Sequence, residues 1–388
     1  LEESNPFSPT FPVNPKYFAN RKDILSSFRK SFDRSKKTER PTPDNIAILG
    51  DCGVGKTSVL RKFEAIALEE FKDRKVFSAI IGFTPISCNS FNSIFQKVVD
   101  EISGNFVTNT PVTTEMRNEI KDWRTKSIGA GTKAESEGAK RDESATRIFR
   151  DALIELWKIL EKRGIDTGLL MLDDAHYLII GCPDALSEIR TLFQELPKNG
   201  CNFILCITGR GDIFSDVKGH NGIFATFFNI KYTLNPFKLN EVRDALLTPL
   251  KMSGLDLTVN ESVIEKIHDL TMGCPVFINF IMRELVCLKE KGRITLGDFE
   301  KNYRTIITSM GAERFQSDFS IASSKEREIL LAMSKLSDRF SPSDISIKDA
   351  RSHLRFLIKK GLIVKHERGK YSLYHPFFKE YLRSLGDK

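Results

Sequence analysis

Apolar positions fall into two patterns along this chain. The first half carries short continuous runs: Ile46–Leu49, Val76–Ile81, Leu169–Leu172, Asn202–Thr208 and Phe228–Leu234. Runs of strand length without polar alternation predict strands buried on both faces, as in a parallel sheet. Between them, apolar residues at helical spacing predict helices over about Thr57–Phe71, Phe91–Ile102 and Ala145–Lys162. Strands alternating with helices give an α/β fold with right-handed crossovers, and its ligands sit at the carboxyl ends of the strands.

The second half loses the continuous runs. From Leu239 to about Arg304 the pattern is helical, with Asp256–Val259 starting one helix and Pro275–Lys289 forming another. That predicts an all-helical lid. After Ser323 three helices are expected, over Lys325–Leu336, Ser341–Ile345 and Ile347–Lys360. Strands Gly361–Val364 and Lys370–Leu373 follow, joined by a turn at His366–Gly369. Three helices and a hairpin predict a C-terminal winged helix-turn-helix. The expected division is a parallel-sheet domain over 1–238, a lid over 239–316 and a winged helix over 317–388. Residues 105–144 are polar, with Gly129-Ala130-Gly131 and Glu135–Arg141, and read as a flexible, solvated insertion.

The first strand leads into Gly50-Asp51-Cys52-Gly53-Val54-Gly55-Lys56-Thr57-Ser58, the spacing G-x-x-x-x-G-K-T between a strand and a helix. Wrapping a polyphosphate in backbone N–H groups requires a turn with few side chains, which Gly50, Gly53 and Gly55 allow. Lys56 is expected between the β- and γ-phosphates and Thr57 on a Mg²⁺ ion, at the positive end of the next helix. Cys52 lies inside this loop, where an oxidant or thiol reagent would block nucleotide entry, and is a candidate for redox control.

A phosphate loop needs a partner for the metal. Leu169-Leu170-Met171-Leu172-Asp173-Asp174 is an apolar strand ending in two carboxylates. Asp173 is expected to hold the metal and its waters, and Asp174 to orient or deprotonate an attacking water. Thr208 and Arg210, just past the Asn202–Thr208 strand, are expected near the γ-phosphate, where the hydroxyl can sense it and the guanidinium can pair with it.

The chain has 388 residues, 40% hydrophobic and 28% charged, which is ordinary globular material for two or three domains. No apolar run approaches the length of a membrane span, and the first residues lack a signal pattern, so a cytoplasmic location and no membrane partner are expected. Seven scattered cysteines without a C-x-x-C pair suggest neither a disulfide framework nor a zinc site. Charge changes the picture only at the end: from Ser323 onward there are 15 lysines and arginines against 8 acidic residues, nearly all of the chain's net +8. Lys348, Arg351, Arg355, Lys359 and Lys360 on the third helix, with Arg368 and Lys370 on the wing, are candidate contacts to double-stranded DNA.

The order of P-loop, LLMLDD, Thr208-Gly209-Arg210, Leu234-Asn235-Pro236-Phe237 with Glu241, and Gly273-Cys274-Pro275 resembles the AAA+-related STAND ATPases. Within these it is most similar to archaeal-type ATPases related to the origin-recognition initiators. Asn5-Pro6-Phe7 and Val13–Arg21 are similar to that family's opening segment, which lies against the adenine. The resemblance implies a P-loop AAA+/STAND ATPase domain with helical lid and winged helix, with ATP and Mg²⁺ as ligands. It also implies contacts from Phe18 and Arg21 to the nucleotide, from Pro275 in the lid, and from Arg210 as the arginine of a T-x-R motif. Two positions depart from initiators: Thr208 replaces an asparagine, and Val276 stands where a lid arginine is usual. Without that lid charge, hydrolysis of ATP to ADP and phosphate is expected to be slow. ATP rather than GTP rests on the resemblance together with the lack of an N-K-x-D motif. Two functions follow: a nucleotide switch coupled to DNA, or a STAND-type signalling or defence ATPase. In the latter, winged helix and insertion bind a protein partner, and ATP controls homo-oligomerisation.

Overall fold

The computed structural model describes residues 5–35, 42–108, 114–136, 141–214, 226–289, 291–311 and 315–386. The chain forms two units, Arg21–Asn235, and Leu1–Asn20 with Pro236–Lys388.

In the first unit the five apolar runs become β1 (Ile46–Gly50), β2 (Val76–Gly82), β3 (Thr167–Asp173), β4 (Phe203–Gly209) and β5 (Ile230–Leu234). All pair in parallel in the order β2-β3-β4-β1-β5. Strands β1, β3 and β4 are buried at every position, which is why they read as unbroken apolar runs. Register sets the chemistry: Leu172 lies opposite Ile207, Ile48 opposite Thr208, and Gly50 opposite Leu234. Gly50, Asp173 and Thr208 therefore reach the same carboxyl edge. The chain leaves β1 for the β2 edge, returns through β3 and β4, and crosses β1 to reach β5. The edge beside β1 is thus a topological switch point, where open α/β sheets bind ligands.

Around the sheet lie α1 (Lys22–Arg34), α2 (Lys56–Glu69), α3 (Phe91–Thr108), α4 (Thr114–Ser136), α5 (Arg141–Lys162), α6 (His176–Gly181) and α7 (Ala185–Glu195). Helix α4 corrects the expected flexible insertion over 105–144. Met116, Ile120 and Trp123 are buried at helical spacing, and the Trp123 indole N–H donates to the Ala152 carbonyl of α5 at 2.8 Å. With the buried Ser127 these three residues form one buried face of this helix, although charges surround them in sequence. Residues 109–113 and 137–140 of that stretch lie outside the described residues.

In the second unit, Leu239–Ser253, Glu261–Thr271, Pro275–Leu288 and Leu296–Met310 are helices. The stretch Asp256–Val259 does not start a helix as expected: Leu257–Val259 pairs in parallel with Gly292–Ile294, and the helix begins after Asn260, its N-cap. The β-branched pair Thr258-Val259 suits the strand, and asparagine suits the cap. Phe237 N–H donates to the Gly273 carbonyl at 2.8 Å, tying the Asn-Pro-Phe and Gly-Cys-Pro segments together. Gly273 has φ 73°, and a Cβ there would collide with the Phe237 carbonyl.

The C-terminal part consists of a helix over Ser324–Ser334, a single turn Pro342–Asp344 and a helix over Ala350–Lys359. Strands Ile363–Lys365 and Tyr371–Leu373 form an antiparallel hairpin, followed by a helix Pro376–Gly386. Ser323 and Glu326 cap the first helix reciprocally. Residues 239–316 and 317–388 share one apolar core, in which Leu246, Ile281 and Phe299 belong to the same cluster as Leu330, Leu357 and Phe378. Among the described residues no helix is long and apolar enough to cross a membrane.

Candidate active site

The turn from β1 into α2 needs its glycines. Gly50 has φ 150°, and a Cβ there would come within 2.7 Å of the Leu234 carbonyl oxygen. Gly55 caps α2 in a left-handed conformation with φ 94°, and no heavy atom lies within 4 Å of where its Cβ would be. The N-cap of helix α2, Gly55, makes no side-chain hydrogen bond, and the positive end of the helix faces the loop, where an anion is favoured. Val54 is buried beneath the loop, Asp51 and Cys52 are exposed, and Gly53, Thr57 and Ser58 are half-buried. Lys56 is buried, and its ammonium donates to the carbonyls of Gly50 at 3.0 Å and Asp51 at 2.9 Å. Neutral carbonyls hydrogen-bond this charge without neutralising it. Open space over Gly55, aligned N–H groups and a buried cation all fit a polyphosphate.

Asp173 and Asp174 have different surroundings. Asp173 is 7% exposed, and its two oxygens accept from the Thr57 hydroxyl at 2.7 Å and the Thr208 hydroxyl at 2.5 Å. Thr208, fully buried, also accepts the Asp174 N–H at 2.9 Å, and its carbonyl accepts the Ala175 N–H at 2.8 Å. Asp174 sits at φ 55° between these two anchors. Burial pushes its carboxyl above the ordinary aspartate range, and the neighbouring Asp173 charge adds to the effect, opposed by Lys56 and His176. A carboxylate locked between two hydroxyls beside the phosphate loop suits a metal's coordination shell. A half-buried one a residue later, with its carboxyl raised, suits a base. Thr57 and Asp173 offer Mg²⁺ the hard oxygens it prefers, leaving its other positions to waters and phosphates.

The predicted site residues divide accordingly. The P-loop, Asp173, Asp174 and Thr208 converge. Thr208, expected to sense the γ-phosphate, donates its hydroxyl proton to Asp173. Arg210 is exposed and forms a two-point pair with Asp212, Nε to Oδ1 at 3.1 Å and Nη2 to Oδ2 at 2.6 Å. Arg21, at φ 55° before α1, donates to the Asn235 carbonyl at 2.6 Å. In the other unit, Phe18 is half-buried after the single turn Pro15–Tyr17, and Pro275 is the first residue of its helix, a position that suits proline. Two neighbours escaped the sequence reading. Asp212 follows the T-x-R motif by two residues, and His176 follows the carboxylate pair in the order Asp-Asp-Ala-His.

Of the basic residues near the C-terminus, Lys348, Arg351, Arg355, Lys359, Arg368 and Lys370 are exposed. Arg351, Arg355 and Lys359 follow one another at four-residue spacing on one helical face. Lys360 is engaged elsewhere: its ammonium donates at 2.6 Å to Glu326, a carboxylate 5% exposed. The same surface exposes Phe356, Ile358 and Val364, with the Arg355 guanidinium 4.6 Å from the Phe356 ring centre.

Residues 39–213 match the AAA domain family. The fold matches a Walker-type ATPase of Pyrococcus abyssi, TM-score 0.55, 17% identical, covering 94% of this chain and 96% of that one. It also matches the Aeropyrum pernix ORC2 protein, solved as ADPNP and ADP complexes, TM-score 0.53, 13% identical, covering 99% of this chain and 98% of that one. A third match is the Aeropyrum pernix ORC1 protein solved in complex with DNA, TM-score 0.52, 14% identical, covering 95% of this chain and 93% of that one. No curated protein sequence matches the chain.

Proposed function

We propose that this chain, an AAA-type P-loop ATPase with the fold of origin-recognition proteins, binds ATP with Mg²⁺, hydrolyses it slowly and uses the nucleotide state to switch a DNA-binding winged helix. The observation that carries the first part is the hydrogen-bonded row Thr57–Asp173–Thr208 at the carboxyl edge, beside the phosphate loop. In this reading Lys56 turns from its two carbonyls to the β- and γ-phosphates, and the N–H groups of Gly53 to Ser58 wrap them. Thr57 and Asp173 would hold Mg²⁺, which would supply positive charge against the phosphate oxygens. Asp174 takes a proton from the attacking water. Arg210 exchanges Asp212 for the γ-phosphate, an exchange of low cost because exposed ion pairs contribute at most about 1 kcal/mol. Phe18, Arg21 and Pro275 remain candidates for contact with the nucleotide. Val276, in place of a lid arginine, supports slow turnover.

DNA is supported by the exposed row Arg351, Arg355 and Lys359, with Lys348, Arg368 and Lys370 nearby in the sequence. The test is fluorescence anisotropy of a ~30-base-pair duplex across a salt series, with and without ATP and Mg²⁺, on the full chain and its Arg351→Ala/Arg355→Ala variant. Affinity that falls steeply with salt, drops in the variant and responds to ATP supports the reading. Salt-independent or absent binding rejects it. The exposed Phe356, Ile358 and Val364 favour a second reading, a STAND-type signalling or defence ATPase whose winged helix meets a protein and whose ATP state controls oligomerisation.

A further inference from the structure

His176 opens α6, two residues beyond Asp174. Its ring leans on that of Tyr177, with centroids 4.2 Å apart. The side chain is 16% exposed, and Nδ1 is buried without a hydrogen-bond partner. Leaving a buried polar atom unpartnered costs its desolvation, so its persistence at this edge of the sheet asks for a use. Nδ1 faces Asp174 Oδ1 at 3.9 Å, about 1 Å beyond a hydrogen bond. The backbone between the two residues is fixed. Thr208 holds the N–H groups of Asp174 and Ala175, and Tyr177 N–H donates to the Asp174 carbonyl at 3.0 Å. Side-chain rotation alone can close the gap.

We infer that His176 is a positioning residue for the proposed base: carrying its proton on Nδ1, it donates to the Asp174 carboxylate as that group turns toward the attacking water, and so fixes its aim. The inference rests on the hydrolysis reading above. A neutral imidazole suits the task, because it supplies one donor without adding a cation beside Lys56 and Arg210. Burial holds the ring below the usual histidine range, with Lys56 and Arg210 acting in the same direction against Asp174 and Asp212. Tyr177 supplies the wall that sets the ring's orientation.

The test compares steady-state kcat and KM for ATP, with thermal melting, in the full chain and three variants. His176→Phe keeps a ring without a donor. His176→Asn puts an amide N–H near the Nδ1 position, and His176→Gln puts one near Nε2. The expected result is a kcat about tenfold lower in the Phe and Gln variants with KM little changed, and largely restored in the Asn variant. Wild-type kcat in the Phe variant, or equal loss in the Asn and Gln variants at unchanged melting temperature, overturns the inference. Should the Phe variant not fold, the Asn and Gln pair decides alone. A wild-type chain with no turnover removes the hydrolysis reading, and this inference with it.

Discussion

Thr208 donates its hydroxyl proton to Asp173 Oδ1 at 2.5 Å while accepting the Asp174 N–H at 2.9 Å, so one buried side chain on β4 sets both carboxylates of β3. Thr208→Val keeps the shape and removes both bonds. It should destabilise the chain by about 1–3 kcal/mol and slow hydrolysis at least about tenfold, with ATP affinity little changed. Thr208→Ser should recover most of both. Urea unfolding and a phosphate-release assay check this, and a Val variant with unchanged turnover would show that the carboxylates hold their places without it.

Asp174 gives a prediction in two directions. Its folded-state pKa is raised, so any stability it contributes is present below the ordinary aspartate range and lost as pH rises through the folded value. At neutral pH the ionised group is therefore a net cost to folding. Asp174→Asn should bind ATP, lose hydrolysis, and melt slightly higher at pH 7, on the order of 1–2 °C, because solvent screens this partly exposed side chain. The wild-type rate should fall on acidification at a higher pH than an unperturbed aspartate would give. Normal turnover in the Asn variant would show that another group takes the proton.

The strands of the sheet were legible because burial on both faces leaves no polar positions to confuse their period, and the phosphate loop was legible because its chemistry is local. Helix α4 was hidden by the charges around Met116, Ile120 and Trp123, since a narrow buried stripe contributes little to an average over the segment. The role of Thr208 was hidden for another reason. Its partner Asp173 is 35 residues away, and only the pairing of Leu172 with Ile207 brings the two side by side. His176 carried a readable signal, its place just after the carboxylates, but its unpartnered nitrogen is a fact of packing.

Gly273 offers a test that does not depend on catalysis. Its φ of 73° already disfavours a side chain, and a Cβ would meet the carbonyl of Phe237, whose N–H is bound to Gly273's own carbonyl. Gly273→Ala should lower stability by about 1–3 kcal/mol or more, since strain and collision act together. Thermal melting would check it. An unchanged melting temperature would mean that the two segments separate at no cost.

Lys360 and Arg351 lie in one basic stretch, yet they should respond in opposite ways. Lys360 answers Glu326, which is nearly buried and also accepts the Ser323 N–H at 2.7 Å. Burial pushes the Glu326 carboxyl up, but the bonds from Lys360 and Ser323 hold it below the ordinary glutamate range. Lys360→Met leaves that charge without its cation and should cost about 1–3 kcal/mol, partly offset because the lysine is itself partly exposed. Its effect on duplex affinity should be small. Arg351 and Arg355 are exposed on the helical face, and Arg351→Ala/Arg355→Ala should leave stability nearly unchanged while flattening the salt dependence of binding by about two units of log K against log salt. Measuring melting temperature and salt slope on both variants separates the two roles. A Lys360 variant that loses DNA affinity without losing stability would place this lysine on the DNA after all.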